Sequence, residues 1–284
     1  MSAPATSLVA GRSELERPRL ELSGPRLAQA LETLVYGCEE HGGVERFVEA
    51  LRLKAEIFQE AFAPGRVPGL AELRMLCAHL ATVRRRIGDY LLPSRIEALS
   101  AHIARLLEGR EDTSSTDQRI AAFCSGFPVD RGHRWVRDLA AELLHNVDPE
   151  RYPLMCRWVW DAATNTGVIR EIWHAPEADP LRIDVPDRYG TFVVLREELA
   201  QYLSKNGVFR DVVFYVDLLT AQIYAGYIST QGDSYLRTDF SVPEDPLLHT
   251  RRLLGLDGAD ASGRTRLKAA DGIAVVVDDP KLAC

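Results

Sequence analysis

All four tryptophans of this 284-residue chain, Trp135, Trp158, Trp160 and Trp173, fall between Phe127 and His174. Three of the seven histidines, His133, His145 and His174, lie in the same stretch among regularly scattered arginines. An indole is the costliest side chain to leave in water and among the most useful in a core or an interface. Such a concentration marks either the main core of a domain or a recognition surface, and the rest of the chain is read around that choice.

Ahead of this stretch, apolar residues recur at helical spacing in successive runs. Ser23 is placed to cap a helix through Leu27, Leu31, Leu34 and Val35, which Gly42-Gly43 ends. The next runs through Val44, Phe47, Val48, Leu51, Ala55 and Phe58 to a stop at Ala63-Pro64-Gly65. A third is expected from about Leu70 to Leu92, with Pro93 as its breaker. Ser94 and Glu97 have the spacing of a capping box for a fourth, through Ile96, Leu99, Ile103 and Leu106. Amphipathic helices joined by short breaks predict a bundle over residues 23–110. The polar run over 111–118 lacks an apolar anchor and reads as a linker to a second unit, 119–256.

In that second unit, Asp130 is placed to cap a helix from His133 to about Asn146. Its apolar stripe is Val136, Leu139, Ala140, Leu143 and Leu144; Arg134, Arg137, Asp138, Glu142 and His145 lie largely away from it. Leu154 to Asp161 is readable as a strand or as a helix. The Asn165–Gly167 turn signal and the aromatic and β-branched content of the flanks favour a small hairpin ending near Trp173. A helix is expected over Thr191–Leu203, with Asn206-Gly207 as its stop. Val212 to Ile228 is apolar almost all round and reads as a central buried helix, too short and too polar at Asp217 and Gln222 for a membrane span. Residues 1–22 read as a disordered tail and 257–284 as a flexible one carrying the apolar patch Ile273–Val277. The fold class that follows is mainly α: a helical bundle and a second, mostly helical unit with a possible small hairpin.

Charge and cysteine content narrow the function classes. The formal net charge of −7 argues against broad nucleic-acid binding, which rests on a basic face. Lysine occurs only at Lys54, Lys205, Lys268 and Lys281, so arginine supplies most of the positive charge. That bias suits guanidinium recognition of carboxylate or phosphate, and is also what a GC-rich bacterial genome produces. Five cysteines, far apart and without a C-x-x-C pair, read as buried thiols of a reducing cytoplasm. The first residues hold no apolar core of signal-peptide length. No Walker loop, G-x-G-x-x-G, G-x-S-x-G or H-E-x-x-H occurs, and neither a cofactor nor a metal is implied.

Two residue sets remain as candidate sites. Arg134, Arg137 and Arg157 are interleaved with Trp135, Trp158 and Trp160, a pattern able to grip phosphate, stacked bases or an acidic partner peptide, although nearby acids offer internal salt bridges instead. Asp217, Thr220, Tyr224 and Tyr227 would form one polar stripe on a buried helix, where a carboxylate resists ionisation unless it is paired.

FPVDRGHRWVRDLAAELLH followed by YPLMCRWVWD resembles the hairpin, helix and following segment of helix-hairpin-helix DNA glycosylases. Gly132 alone stands for that family's glycine-rich hairpin, and Met155 falls where its catalytic aspartate is expected. The resemblance therefore implies duplex-backbone binding without base excision. Arg74 to His79 and Arg95 to His102 resemble the short arginine–histidine motif of HEPN-type ribonucleases. The reading adopted is a non-catalytic, cytoplasmic binding protein that meets a protein partner through its Trp/Arg-rich unit and its tail. A nucleic-acid-binding protein and a small-molecule enzyme centred on Asp217 are the alternatives.

Overall fold

The computed structural model describes residues 18–174, 182–236, 245, 247–259 and 262–272, the last six residues of the segment ending at 236 by backbone alone. The chain is mainly helical, with ten α-helices among the described residues: α1 (Gly24–Glu39), α2 (Val44–Ala61), α3 (Leu70–Ala78), α4 (Ile96–Leu107), α5 (Thr116–Ser125), α6 (Trp135–Val147), α7 (Val168–Glu171), α8 (Tyr189–Lys205), α9 (Val212–Leu236) and α10 (Leu248–Leu253). The apolar patch at Ile273–Val277 lies outside the described residues.

The periodicity of the sequence is visible in the burial. Val44, Phe47, Val48, Leu51, Ala55 and Phe58 all face the core from α2. Gly42 and Gly43 both take a φ of +92°, which a residue with a Cβ adopts only under strain, so the chain reverses cleanly between α1 and α2. The third helix stops at Ala78, short of the expected Leu92. Turns and a 3₁₀ segment, Ile87–Tyr90, carry the chain on, and they still bury Leu80, Val83 and Ile87. Apolar spacing is thus met by successive turns without a continuous helix. The Arg84 guanidinium donates to the Ala78 carbonyl left free by the break, at 3.4 Å.

α6 and α9 form the centre. α2, α4 and α5 pack on α6, while α1, α2, α7, α8 and α10 pack on α9. One connected hydrophobic core includes residues from both sides of segment 111–118, which itself holds a 3₁₀ turn and the start of α5. Over Val212–Thr230, α9 has the length and apolar content of a membrane-spanning helix, but it serves here as a core helix ringed by others.

The expected hairpin does not form. A single antiparallel bridge, Asp161 to Thr166, closes the turn, and Val168–Glu171 is helical. Thr164 donates to Asp161 Oδ1 from its backbone and Asn165 takes a φ of +55°, so the turn itself forms where the Asn/Gly signal lies. Its flanks are held instead by side chains: Trp160 Nε1 donates to Val185 O at 2.9 Å, and Arg157 binds Asp138. Among the described residues no strand lies beside the segment for it to pair with.

Both expected tails are partly fixed. Leu22 bridges Trp173, and Ser23 N donates to Ile172 O at 2.7 Å, so the end of 1–22 is tied down. Residues 257–259 and 262–272 lie against α3 and the turns after it, with Arg84 forked onto Asp257, Lys268 N bonded to Arg84 O, and Asp271 paired with Arg74.

Trp160 is fully buried, so a phenyl ring in its place leaves both a void and an orphaned Val185 carbonyl. Trp160→Phe is expected to lower stability by about 2 kcal/mol, read as a shift of the urea midpoint at constant slope.

Candidate functional site

Arg134, Arg137 and Arg157 converge. All three line one surface groove of about 260 Å³, together with Cys124, Val129 and His133. Arg134 is the residue just before α6 and Arg137 lies in its first turn, while the irregular segment after α6 supplies Arg157. Asp130 accepts from the backbone of His133 at 3.0 Å, the expected cap, which here closes a 3₁₀ turn just before α6.

Each cation of the groove is held by an acid beside or beneath it. Arg134 reaches Asp161 at 3.1 Å and leaves about half of its side chain in water. Arg137 donates to Met155 O at 3.0 Å and Asp187 O at 2.8 Å, with its guanidinium 5.9 Å from the Phe192 ring centre. Arg157 places Nε and Nη2 on Asp138 Oδ2 at 3.2 and 2.8 Å, while its backbone amide takes Asp138 Oδ1 at 2.9 Å. His133 Nδ1 lies 2.9 Å from Asp130 Oδ1, and its Nε2 lies 2.9 Å from the Tyr90 hydroxyl. A carboxylate only accepts, so Nδ1 donates to Asp130, and Nε2 shares a hydrogen bond with the Tyr90 hydroxyl. The His133 hydrogen bond draws the Asp130 carboxyl below its usual range. Internal pairing holds these forks, and among the described residues Arg134 pairs through Nη2 alone. Val129, 99% exposed, stands beside them.

The tryptophans are not part of that surface. Trp135, Trp158 and Trp160 are buried, so their expected role as exposed contacts is replaced by one in the core. Indoles gain more from close packing on every side than from one wetted face.

A second constellation lies inside the molecule. Asp138, Glu142 and His145 were placed away from the apolar stripe of α6, yet all three are buried. Nearly every residue of α6 is buried, so its polar side also faces protein, and each of the three has a partner. Glu142 Oε1 accepts from Thr82 at 3.1 Å, and Oε2 lies 3.8 Å from Lys54 Nζ, which donates to Leu254 O at 2.9 Å. His145 Nδ1 lies 2.8 Å from Tyr152 O, so that nitrogen carries the hydrogen, and Nε2 lies 3.1 Å from Asp217 Oδ2. Burial raises the Glu142 carboxyl and lowers the Lys54 ammonium, while their mutual attraction opposes both shifts.

The polar stripe of α9 is real but divided. Asp217 and Thr220 are buried, Thr220 closing on Val216 O within its own helix. Tyr224 is half-buried between Trp158 and Tyr227, with ring centres 5.9 and 5.7 Å away. Tyr227 opens onto a polar cleft of about 580 Å³ between α1, α7 and α9. Sequence reasoning missed Lys54, whose place among the apolar residues of α2 was its one available signal.

No protein-family model matches this sequence, no curated protein matches it, and no solved structure matches its fold. The chemistry is accordingly read from the residues alone. Burial pushes the Cys38 and Cys77 thiols up to about 12 and the Cys156 thiol well above its usual value, which removes them as thiolate nucleophiles near neutral pH. Among the described residues, no group of three or more histidines, cysteines or acids is arranged to hold a metal. Asp217 faces a space of about 10 Å³, too small for a substrate. Arg74 and His79 are both committed to backbone carbonyls in the interior, of Leu91 and Gly255 respectively. Met155 is buried where the glycosylase-like reading expects a catalytic acid.

Proposed function

We propose that this chain is a non-catalytic binding protein that takes an acidic peptide segment of a protein partner into the Arg134–Arg137–Arg157 groove. The observation that carries the reading is the convergence of three guanidiniums from separate positions on one groove, each fixed by an acid beneath or beside it. A pre-positioned fork loses less freedom on binding a carboxylate than a free one. Exposed Val129 supplies an apolar contact at the rim. The net charge of −7 favours an acidic peptide over the uniformly charged backbone of a nucleic acid, because the attraction is confined to one groove.

The test uses a fluorescein-labelled peptide of alternating glutamate and leucine, with a DNA duplex of similar charge as competitor, followed by anisotropy at low and moderate salt. Val129→Asp and Arg134→Gln are each expected to weaken peptide binding about tenfold with little change in stability, since both side chains reach solvent. Tighter binding of the duplex than of the peptide, or no effect of Val129→Asp, would overturn the reading.

A further inference from the structure

The buried constellation contains two polar atoms whose needs are complementary. Trp158 Nε1 can only donate, and Asp217 Oδ2, as part of a carboxylate, can only accept. Among the described residues neither has a hydrogen-bond partner, though Trp158 is 7% exposed and Asp217 4%. His145 Nε2 comes within 3.1 Å of Oδ2, but the approach is not aligned as a hydrogen bond. Buried polar atoms are nearly always satisfied, and those left over by the protein are commonly met by internal water.

Both residues line the same small cavity, together with Leu51 and Lys54 of α2, Glu142, His145 and Asn146 of α6, Phe214 of α9 and Leu254 at the end of α10. Its volume is about 10 Å³, close to the minimum that admits one water molecule. The chemistry narrows the occupant further. A metal ion or an ammonium cannot accept from the indole N–H. A halide cannot donate to the carboxylate and would be repelled by it. The species must be neutral, of one heavy atom, and able both to accept and to donate.

We propose that one internal water molecule is a fixed component of this protein, accepting from Trp158 Nε1 and donating to Asp217 Oδ2. It links the irregular segment after α6 to α9, where no direct bond between the two residues exists. Trp158 directly follows Arg157, so the same short segment presents one side chain to the groove and the next to the water. The proposal does not depend on what the groove binds.

The experiment is water-selected NMR on the full chain with ¹⁵N-labelled tryptophan. Cross-relaxation with a long-lived water is expected at the Trp158 indole N–H and not at that of Trp160, which is bonded to Val185 O. Trp158→Phe assigns the signal by its loss. Should that variant fail to fold, contacts from the indole to the Tyr224 ring assign it in the native chain. A Trp158 indole without a water cross-peak, or electron density showing the cavity empty in a crystal structure, overturns the proposal. A cross-peak confined to Trp158, or a single density peak between the two side chains, supports it.

Discussion

Asp138→Ala is expected to lower the stability of this chain by about 3 kcal/mol, and so to unfold a large fraction of a marginally stable protein. The carboxylate is 1% exposed and takes three bonds from Arg157, one from the backbone amide and two from the guanidinium. Its loss strands a cation that is only about a quarter exposed and orphans a backbone donor. Asp138→Asn keeps an oxygen for the amide and should cost less. In a cycle with Arg157→Met, the double variant should regain part of the loss, because the stranded charge is then gone. Urea unfolding of the four proteins measures this coupling. Additive losses would show that the pair does not act as a unit. Arg157 is also a wall of the groove, so Asp138→Ala should weaken peptide binding even where it remains folded.

The second large effect is acid lability through His79. Burial, with help from Lys54 and Arg84, lowers this imidazole to about 4, against the usual 6.5. The ring is 1% exposed, with Nδ1 3.2 Å from Gly255 O. Gly255 itself has a φ of +70°, and a Cβ there would stand 1.8 Å from His79 O, so no side chain fits between this histidine and the chain crossing it. Between pH 4 and 6.5 the unfolded chain binds a proton at His79 that the folded chain refuses. Stability from this group is therefore complete above about pH 7 and falls as pH drops through that window, by about 3 kcal/mol in all. His79→Asn places an amide nitrogen near Nδ1 without a titrating group and should flatten the acid limb of a midpoint-versus-pH curve. Parallel curves for the two proteins would mean that the acid loss arises elsewhere.

Legibility in the sequence divides along one line. Stretches in which apolar residues repeat at a helical period were placed well, α2 and α6 above all, because the amphipathic stripe is a local property of the chain. Asn165 and Gly42-Gly43 were legible for a related reason: their left-handed backbone conformations are a matter of Cβ sterics. The segment from Leu154 to Trp173 was not. Its alternation suits a strand, but a strand needs an edge to pair with, and none lies beside it among the described residues. The break after Ala78 was hidden as well, since turns at the same spacing bury Leu80, Val83 and Ile87 as a helix would.

The candidate sites follow the same division. That Arg134, Arg137 and Arg157 lie near one another was readable from their density around the tryptophans. Which of those neighbours face water was not, because an indole serves a core and an interface alike. Asp217 is legible as a buried acid on an apolar helix, but the approach of His145 to within 3.1 Å and the Lys54–Glu142 pair beside it are set by how distant helices come together.

From its order of residues alone, this chain determined that it is mainly helical, where the amphipathic helices α2 and α6 run, that α9 is apolar almost all round, and that its tryptophans gather in one stretch. Only the tertiary structure decided that nearly every residue of α6 is buried, and hence that Asp138, Glu142 and His145 are interior groups with fixed partners. A repeat along the chain reports which side of a helix prefers to be dry. Whether the other side is also enclosed depends on helices far away in sequence, and a charge taken out of water must then find its counterpart there.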